Sequence, residues 1–440
     1  MITQELNPAF VPSINTTDVH RKSTRMSVYI LLMMLVIIPF ILVFQGRSVE
    51  DGGVGLSSIV NHLALCLALV LWMKHANKMH HQTMTVVMIF LSTYVINYLA
   101  TQYASTKWLI NSFAFLFVFI SVATAVIKAK YELLVDLSKK IDIAIMLAMW
   151  CLTFIFMFTV LGDPAGMMEN FLRGDHNSNI YRLTISFSVV KPALAFLLYI
   201  IIPWNMVHWK TYLAKRKMLF LIFIIMGFPF WIGIRTLILS FLILSLFLLI
   251  TRRSLAILLT IVISVIASVF IVAHWTSVMD IVAMYYDRLP SLLFALDTLI
   301  DQPMGLGNGG YHVVVSNSQE LLFAQYATEN MRGFWPSPES TLVYFISSFG
   351  VLSAVFFGFY FYLLNRGRRL LHNKYILLIE KSVLLSCSLV IFAGISQNYV
   401  SASGLLWWIY MAAGFGMVAR HSSSALRLRG RTALPFISKS

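Results

Sequence analysis

Long apolar runs recur through residues 27–418, and they restrict what this chain can fold into. About 20 consecutive apolar residues make a helix long enough to cross the hydrocarbon core of a bilayer. Inside a membrane every backbone N–H and C=O needs a partner within the protein, so such runs are expected to be helical. The pattern therefore predicts an all-α polytopic membrane protein.

The composition supports the same class. Apolar residues make up 59% of the chain and charged residues 12%, whereas a soluble domain averages about 25% charged residues. The three cysteines, Cys66, Cys151 and Cys387, all lie in apolar runs, which favours packing over disulfide bonds or metal ligation. No spacing of His, Cys and Asp suggests a metal site, so the sequence predicts neither a metal nor a cofactor.

The apolar runs and their flanking Lys and Arg residues predict about 12 transmembrane helices. The run 218–250 is too long for one crossing and has basic clusters at both ends, so it is interpreted as a hairpin of two short helices. The predicted spans are 27–45, 56–73, 83–100, 108–127, 141–161, 183–203, the two helices of 218–250, 254–273, 340–364, 375–395 and 404–418.

The excess of basic residues has a topological interpretation. The chain has 33 Lys and Arg against 18 Asp and Glu, a net charge of +15. The basic residues concentrate in alternate loops, which the positive-inside rule assigns to the cytoplasm, whereas the long loop 274–339 is acidic. This predicts both termini inside and one large periplasmic loop before helix 10. The charge then needs no nucleic-acid partner, and the lipid bilayer is the expected environment.

The chain divides accordingly into five parts. These are a cytoplasmic N-terminal tail (1–26), transmembrane helices 1–9 (27–273), the periplasmic loop (274–339), transmembrane helices 10–12 (340–419) and a basic cytoplasmic tail (420–440).

Three basic residues are candidates for binding an anion. Arg235 lies in the middle of the 218–250 run, where a buried charge is costly unless paired or hydrated; the alternative is an arginine that snorkels from the hairpin tip. Arg288 follows Asp287 in the long loop, and an ion pair between them is the alternative to a binding role. Lys191 precedes Pro192 in the sixth predicted span, where it lines a cavity or lies near the outer end of a broken helix. A guanidinium group suits bidentate binding of phosphate.

The long loop holds further candidates. The glycine cluster 305–310 is either a cradle of backbone N–H groups for phosphate, involving Gly305 and Gly307, or a turn that returns the loop to the membrane. It is not a Walker loop, because no Lys-Ser/Thr follows the glycines. His312 is a surface group or a substrate contact. Glu339, at the start of the tenth span, is either an acid favoured by the helix dipole or a general base.

These residues resemble motifs of the bacterial O-antigen ligase and polymerase superfamily. Glu339-Ser340, nine residues and then Gly350-Val351-Leu352-Ser353 is similar to a ligase signature in which His stands first and Gly last. Arg288 followed by Asp301-Gln302-Pro303-Met304-Gly305-Leu306-Gly307 resembles the family's arginine and D-x-P-x-G-x-G run. Gly233-Ile234-Arg235-Thr236 resembles its S-R-T hairpin, with Ile in place of Ser.

The resemblance implies a metal-independent glycosyltransferase with a GT-C-like multi-helix fold in the bacterial inner membrane, its active site facing the periplasm. Donor and acceptor would be glycans carried on undecaprenyl pyrophosphate. Arg235 and Arg288 would bind the pyrophosphate, and Glu339 would take the proton from the acceptor hydroxyl. The remaining candidate substrate contacts are Gly305, Gly307, His312 and Lys191. A chain-length regulator and a flippase are further expected partners.

Glutamate in place of the ligase histidine favours a polymerase, which joins lipid-linked repeat units into O-antigen or a related surface polysaccharide. The first alternative is a ligase that transfers the glycan to the lipid A core. A secondary transporter or flippase is the alternative of another class. It would show repeated halves with helices broken at matching positions, and no convincing repeat is evident in the sequence.

Overall fold

The computed structural model describes residues 26–43, 56–75, 80–173, 176–187, 191–231, 234, 240–244, 289–326, 340–373, 375–394 and 404–432. Within these ranges the chain is almost entirely helical and has no strand, so the prediction of an all-α protein is confirmed. The helices are α1 Met26–Val43, α2 Leu56–His75, α3 His81–Ala100, α4 Thr106–Lys128, α5 Tyr131–Gly162, α6 Pro164–Leu172, α7 His176–Phe187, α8 Lys191–His208, α9 Ala214–Trp231, α10 Leu289–Asp301, α11 Gly310–Tyr326, α12 Thr341–Phe349, α13 Ser353–Leu371, α14 Leu378–Gly394 and α15 Gly404–Thr432.

Six segments of the described residues are long and apolar enough to cross a membrane. They are Met26–Val43, His81–Ala100, Thr106–Lys128, Tyr131–Gly162, Ala193–Thr211 and Thr341–Leu371. Their outward faces are also apolar: Leu99 is 77% exposed and Trp150 58% exposed. Large apolar side chains exposed along whole helices are typical of a surface that faces lipid. The described chain therefore has the character of a membrane-embedded helical bundle.

The last helix, α15, lies at the centre of this bundle, and every side chain from Leu405 to Ala419 except those of its two glycines is a buried apolar group. A Cβ added at Gly416 would lie 2.8 Å from the Val126 side chain of α4. A Cβ added at Gly414 would lie 2.6 Å from the Cys387 sulfur of α14. Small residues allow helix backbones to approach closely, so the two glycines let α15 pack directly between α4 and α14.

A buried carboxylate lies at one end of the bundle. Glu380, in the first turn of α14, is 2% exposed. Its carboxylate lies 3.2 Å from His421 Nε2 and 3.7 Å from Arg420 Nε, both on α15. Arg420 also donates to the Ala129 carbonyl just after α4. This cluster ties together α4, α14 and α15 where the basic residues of α15 begin.

A second carboxylate joins α5, α8 and α9. Asp142 accepts hydrogen bonds from Trp204 Nε1, the Tyr212 hydroxyl and Arg216 Nη2 at 2.9, 2.5 and 2.9 Å. Burial raises the pKa of the Tyr212 phenol well above its usual range, and its donation to Asp142 raises that pKa further. Tyr212 therefore stays protonated and keeps donating throughout the physiological pH range.

Helix α1 contains a π-helical segment, Met33–Ile37, and Pro39 accounts for it. Because proline has no N–H, the Leu35 carbonyl lacks the donor that an α-helix supplies four residues later. The Ile38 N–H instead donates to the Met33 carbonyl, five residues back. The Tyr410 hydroxyl of α15 donates to the Leu35 carbonyl at 2.5 Å. A side chain of the central helix thus satisfies the acceptor that Pro39 leaves open.

Two predicted spans are divided in the structure. The sixth, 183–203, falls on two helices, because α7 ends at Phe187 and α8 begins at Lys191. The tenth, 340–364, is also two helices, α12 and α13, joined by a turn at Gly350. The Phe345 and Tyr360 rings are 6.1 Å apart, although a straight helix would separate residues 345 and 360 by about 22 Å. Helix α12 therefore folds back against α13, so Thr341–Leu371 is not one straight crossing.

We predict that Tyr410→Phe lowers the free energy of unfolding by about 1–3 kcal/mol, because a buried carbonyl loses its donor. In a Pro39→Ala background the same change should cost much less, since the alanine supplies a backbone N–H to the Leu35 carbonyl. Denaturant unfolding of the four proteins in detergent measures this double-mutant cycle. An equal loss in both backgrounds would contradict the link between Pro39 and Tyr410.

Candidate functional site

The predicted site residues fall into two groups. Those outside the described residues are Arg235, Arg288 and Glu339. Those inside them are Gly305, Gly307, His312 and Lys191. The structure does describe the immediate neighbours of the first group: Ile234 is 1% exposed, Leu289 begins α10, and Ser340 caps α12.

Two of the motif-like segments bind each other through their backbones. We call residues 303–310 the glycine segment and residues 347–351 the Gly350 turn. The Val351 N–H donates to the Pro303 carbonyl at 2.7 Å, and the Leu306 N–H donates to the Ser347 carbonyl at 2.8 Å. The Gly307 N–H donates to the Ser348 carbonyl at 3.0 Å. The glycine segment therefore pairs with the turn that ends α12.

This close approach depends on glycine at two positions. Gly350 has a φ of 54°, and a Cβ there would collide with the Pro303 carbonyl. Gly305 has a φ of 77°, and its Cβ would lie 2.7 Å from the Ser348 carbonyl. L-residues with side chains rarely adopt positive φ, so both positions require glycine for conformation and for space.

Two buried asparagines hold the glycine segment to the rest of the bundle. Asn97, near the end of α3, is 0% exposed and donates to the carbonyls of Met304 and Ser348 at 3.0 and 2.9 Å. Its Oδ1 accepts from the Asn308 N–H. The Asn308 side chain donates to Ser112 of α4 and accepts from the Tyr344 hydroxyl of α12. These bonds join α3, α4, α12 and the glycine segment into one polar cluster.

The glycine N–H groups are already engaged within the protein. Gly305 N–H donates to the Gln302 carbonyl and Gly307 N–H to the Ser348 carbonyl. Both N–H groups therefore have acceptors within the protein, in a turn that returns the chain from α10 to the bundle. Phosphate binding by Gly305 and Gly307 stays a prediction.

Helices α10 and α12 lie side by side and run in the same direction. Their carboxyl-terminal ends meet where Val351 bonds Pro303. Along their length, Phe294 and Ala295 of α10 pack with Val343 of α12 in one apolar cluster. Leu289, the first described residue of α10, and Thr341, the first residue of α12, therefore lie toward the same end of the pair.

The amino terminus of α12 is buried and capped by a side chain. The Ser340 hydroxyl accepts from the Val343 N–H at 3.0 Å and so caps the helix. Ser340 and Thr341 are each 2% exposed, and Thr341 lies against Gly394 at the end of α14. Helix α12 thus begins inside the bundle.

The two other described candidates have separate positions. His312 is exposed in the first turn of α11, and its Nδ1 is 3.0 Å from the Ser316 hydroxyl of the same helix. Lys191 is the first residue of α8, so the helix begins at the residue that the predicted span placed in its interior. Pro192 follows in the first helical turn, where backbone N–H groups have no acceptor within the helix. The N–H that proline lacks is therefore not needed there. The backbone position of Lys191 therefore fits the interpretation of a broken helix.

Sequence reasoning missed the residues that assemble this region, namely Asn97, Ser112, Asn308 and Tyr344. A signal for Asn97 was present, since it is an amide within an otherwise apolar predicted span. A buried amide needs hydrogen-bond partners, so Asn97 pointed to a contact with irregular backbone. Nothing in the sequence identified Asn308 as that partner.

We predict that Gly350→Ala destabilises the protein by about 1–3 kcal/mol or more, because the turn requires a positive φ and close contact with Pro303. Gly358→Ala on α13 is the matched control, since a Cβ there meets nothing within 4 Å. Thermal unfolding in detergent measures both variants. Equal stability of the two would show that the Gly350 turn does not depend on glycine.

Comparisons with known proteins found no match to this chain. No family model matches the chain, no curated protein matches it, and no solved structure matches it. Among the described residues, no group of three or more His, Cys, Asp or Glu side chains could hold a metal ion.

Proposed function

We propose that the chain is a polymerase that joins oligosaccharide repeat units, carried on undecaprenyl pyrophosphate, into O-antigen or a related surface polysaccharide. In this proposal it lies in the bacterial inner membrane with about 12 spans and both termini in the cytoplasm, as the distribution of Lys and Arg indicates. The reaction takes place at the periplasmic face.

The observation that carries the proposal is the pairing of the glycine segment with the Gly350 turn. These are the two segments that resemble separate motifs of the ligase and polymerase superfamily. Because they bind each other, α10 and α12 run together, and a candidate catalytic residue directly precedes the described residues of each helix. Arg288 directly precedes Leu289, and Glu339 directly precedes the capping residue Ser340.

Parallel helices make this end of the pair suited to an anion. The amino terminus of each helix carries partial positive charge and N–H groups without helical acceptors. Two such termini, together with the guanidinium groups of Arg288 and Arg235, would favour a pyrophosphate. The apolar surroundings would strengthen these interactions, because water competes less in a low dielectric.

The reaction then follows from the roles of the candidate residues. Glu339 takes the proton from a hydroxyl of the acceptor repeat unit, and the hydroxyl oxygen attacks the anomeric carbon of the donor glycan. The bond between that carbon and the pyrophosphate oxygen breaks, so undecaprenyl pyrophosphate leaves with the electron pair. Arg235 and Arg288 stabilise the charge that develops on the leaving group. The glycan is thereby transferred onto the acceptor, which remains on its own lipid carrier.

The other candidates take supporting roles in this proposal. His312 and Lys191 contact the glycan or its carrier, while Gly305 and Gly307 shape the site as a turn. A flippase supplies the lipid-linked unit to the periplasmic face, and a chain-length regulator limits the product.

Deletion of the gene tests the proposed reaction. Lipopolysaccharide gels of the deletion strain should lose the polymer ladder and retain a band with a single repeat unit. That pattern arises because ligation of one unit to the lipid A core continues without polymerisation. Complete loss of the repeat on core, with polymer still on its lipid carrier, would identify a ligase instead.

Point variants test the site. We predict that Arg235→Ala, Arg288→Ala and Glu339→Gln each reduce ladder formation about 100-fold or more, as expected when transition-state charge or a proton acceptor is lost. Arg173→Ala and Glu169→Gln are matched controls, because these residues form an exposed ion pair at α6. Membrane expression is measured in parallel. Normal ladders in the three site variants would show that the chemistry lies elsewhere.

A further inference from the structure

A groove between α1 and α5 is a second feature of the bundle, separate from the glycine segment. It has a volume of about 570 Å³, within the range of about 300–1,000 Å³ typical of ligand pockets. Its lining residues recur at helical spacing on one face of each helix. On α1 they include Tyr29, Val36 and Ile37, and on α5 they include Lys140, Ala144 and Cys151.

The groove is polar at one end only. Lys140 Nζ lies 4.6 Å from the centroid of the Tyr29 ring and 3.4 Å from its hydroxyl. Within the described part of the chain, no carboxylate lies within ion-pair distance of Lys140. All other lining residues are apolar or nearly so. A half-buried cation at one end of an apolar groove complements an amphipathic ligand with an anionic head.

The length of the groove matches one leaflet of a bilayer. From Lys140 to Cys151 the helix rises about 16 Å, and half of the hydrocarbon core is about 15 Å thick. A ligand whose charged head lies at Lys140 would therefore reach the bilayer midplane with its apolar part. Basic residues continue beyond this end in the sequence, with Lys139 on α5 and Arg25 directly before α1.

The irregularity of α1 falls in the groove wall. Val36 and Ile37 belong to the π-helical segment that Pro39 imposes. Such segments rotate the following side chains relative to a regular helix and occur frequently at functional sites. The shape of this wall therefore depends on Pro39. The Tyr410 hydroxyl stabilises the π-helical segment by donating to the Leu35 carbonyl.

We propose that this groove binds an acyl chain of an anionic glycerophospholipid, with the phosphate group at Lys140. The commitment to an anionic lipid rests on the charge of Lys140, its basic neighbours and the match in length to one leaflet. This site is independent of the polymerase reaction and lies at the end of the bundle that the basic residues assign to the cytoplasm.

Native mass spectrometry of the full-length protein tests the proposal, with phosphatidylglycerol and phosphatidylcholine of identical acyl chains as probes. Phosphatidylglycerol should be retained in preference, and Lys140→Gln should lower its retention about fivefold, the effect of one lysine near anionic lipid. Lys139→Gln is the matched control, because it removes the same charge from an exposed neighbour. Equal retention of both lipids, or equal effects of the two lysine variants, would overturn the proposal.

A second variant tests the acyl-chain position. Ala144→Trp should fill the groove and reduce phosphatidylglycerol retention, whereas Phe154→Trp, at an exposed site on the same helix, should not. A phosphatidylglycerol analogue with a photoreactive group at the end of its chain should crosslink near Cys151. Crosslinks spread evenly over the lipid-facing surface would contradict a specific site.

A dimer that persists when phosphatidylglycerol is added, and that Ala144→Trp disrupts, would assign the groove to a second copy of the chain and overturn the proposal.

Discussion

The backbone pairing between the glycine segment and the Gly350 turn is the interaction on which the candidate site depends. The glycine segment is largely irregular and the Gly350 turn ends α12, so several of their N–H and C=O groups lack the partners that a continuing helix would supply. Irregular backbone among membrane helices is tolerated only where protein or water satisfies it. Here the two stretches satisfy each other, and the Asn97 side chain donates to two further carbonyls. The arrangement removes a large desolvation cost from both stretches together.

The same pairing determines the direction of the helices around it. Helix α12 ends at the turn and α10 ends at the glycine segment, and Phe294 and Ala295 of α10 pack with Val343 of α12 along their length. Bonded ends and lateral packing together make the two helices parallel. Chain reversal at Gly350 then lets α12 lie back on α13, with Phe345 stacked on Phe356 at 4.2 Å. The amino terminus of α12 is consequently carried to Gly394, inside the bundle. A local requirement for glycine therefore determines where α12 begins.

Hydropathy could predict the helices of this protein far better than their directions. The runs that became α3, α4 and α5 were identified by their apolar length, because burial in lipid is a property of composition. The reversal at Gly350 was missed because residues on both sides of it are equally apolar, and hydropathy does not register a positive φ. The break before Lys191 was indicated only by Pro192. Contacts such as that of Asn97 with Asn308 join residues more than 200 positions apart, and a single sequence does not predict which distant residues meet. The proposed roles of Arg235, Arg288 and Glu339 rest on motif resemblance, because these residues lie outside the described part of the chain.

The proline in α1 and the glycines of the site illustrate one physical rule with two outcomes. Each residue breaks regular backbone hydrogen bonding in an apolar environment, so each requires a partner from another part of the chain. At Leu35 the partner is the Tyr410 hydroxyl, and the result is a shaped groove wall. At the Gly350 turn the partners are backbone groups and Asn97, and the result is a pair of parallel helices. In an apolar environment a carbonyl without a donor is less costly than a charge without a partner. Interruptions of backbone hydrogen bonding can therefore shape concave surfaces between membrane helices without burying further charges. The groove lies beside the interruption at Pro39, and the candidate site lies beside the interruption at the Gly350 turn.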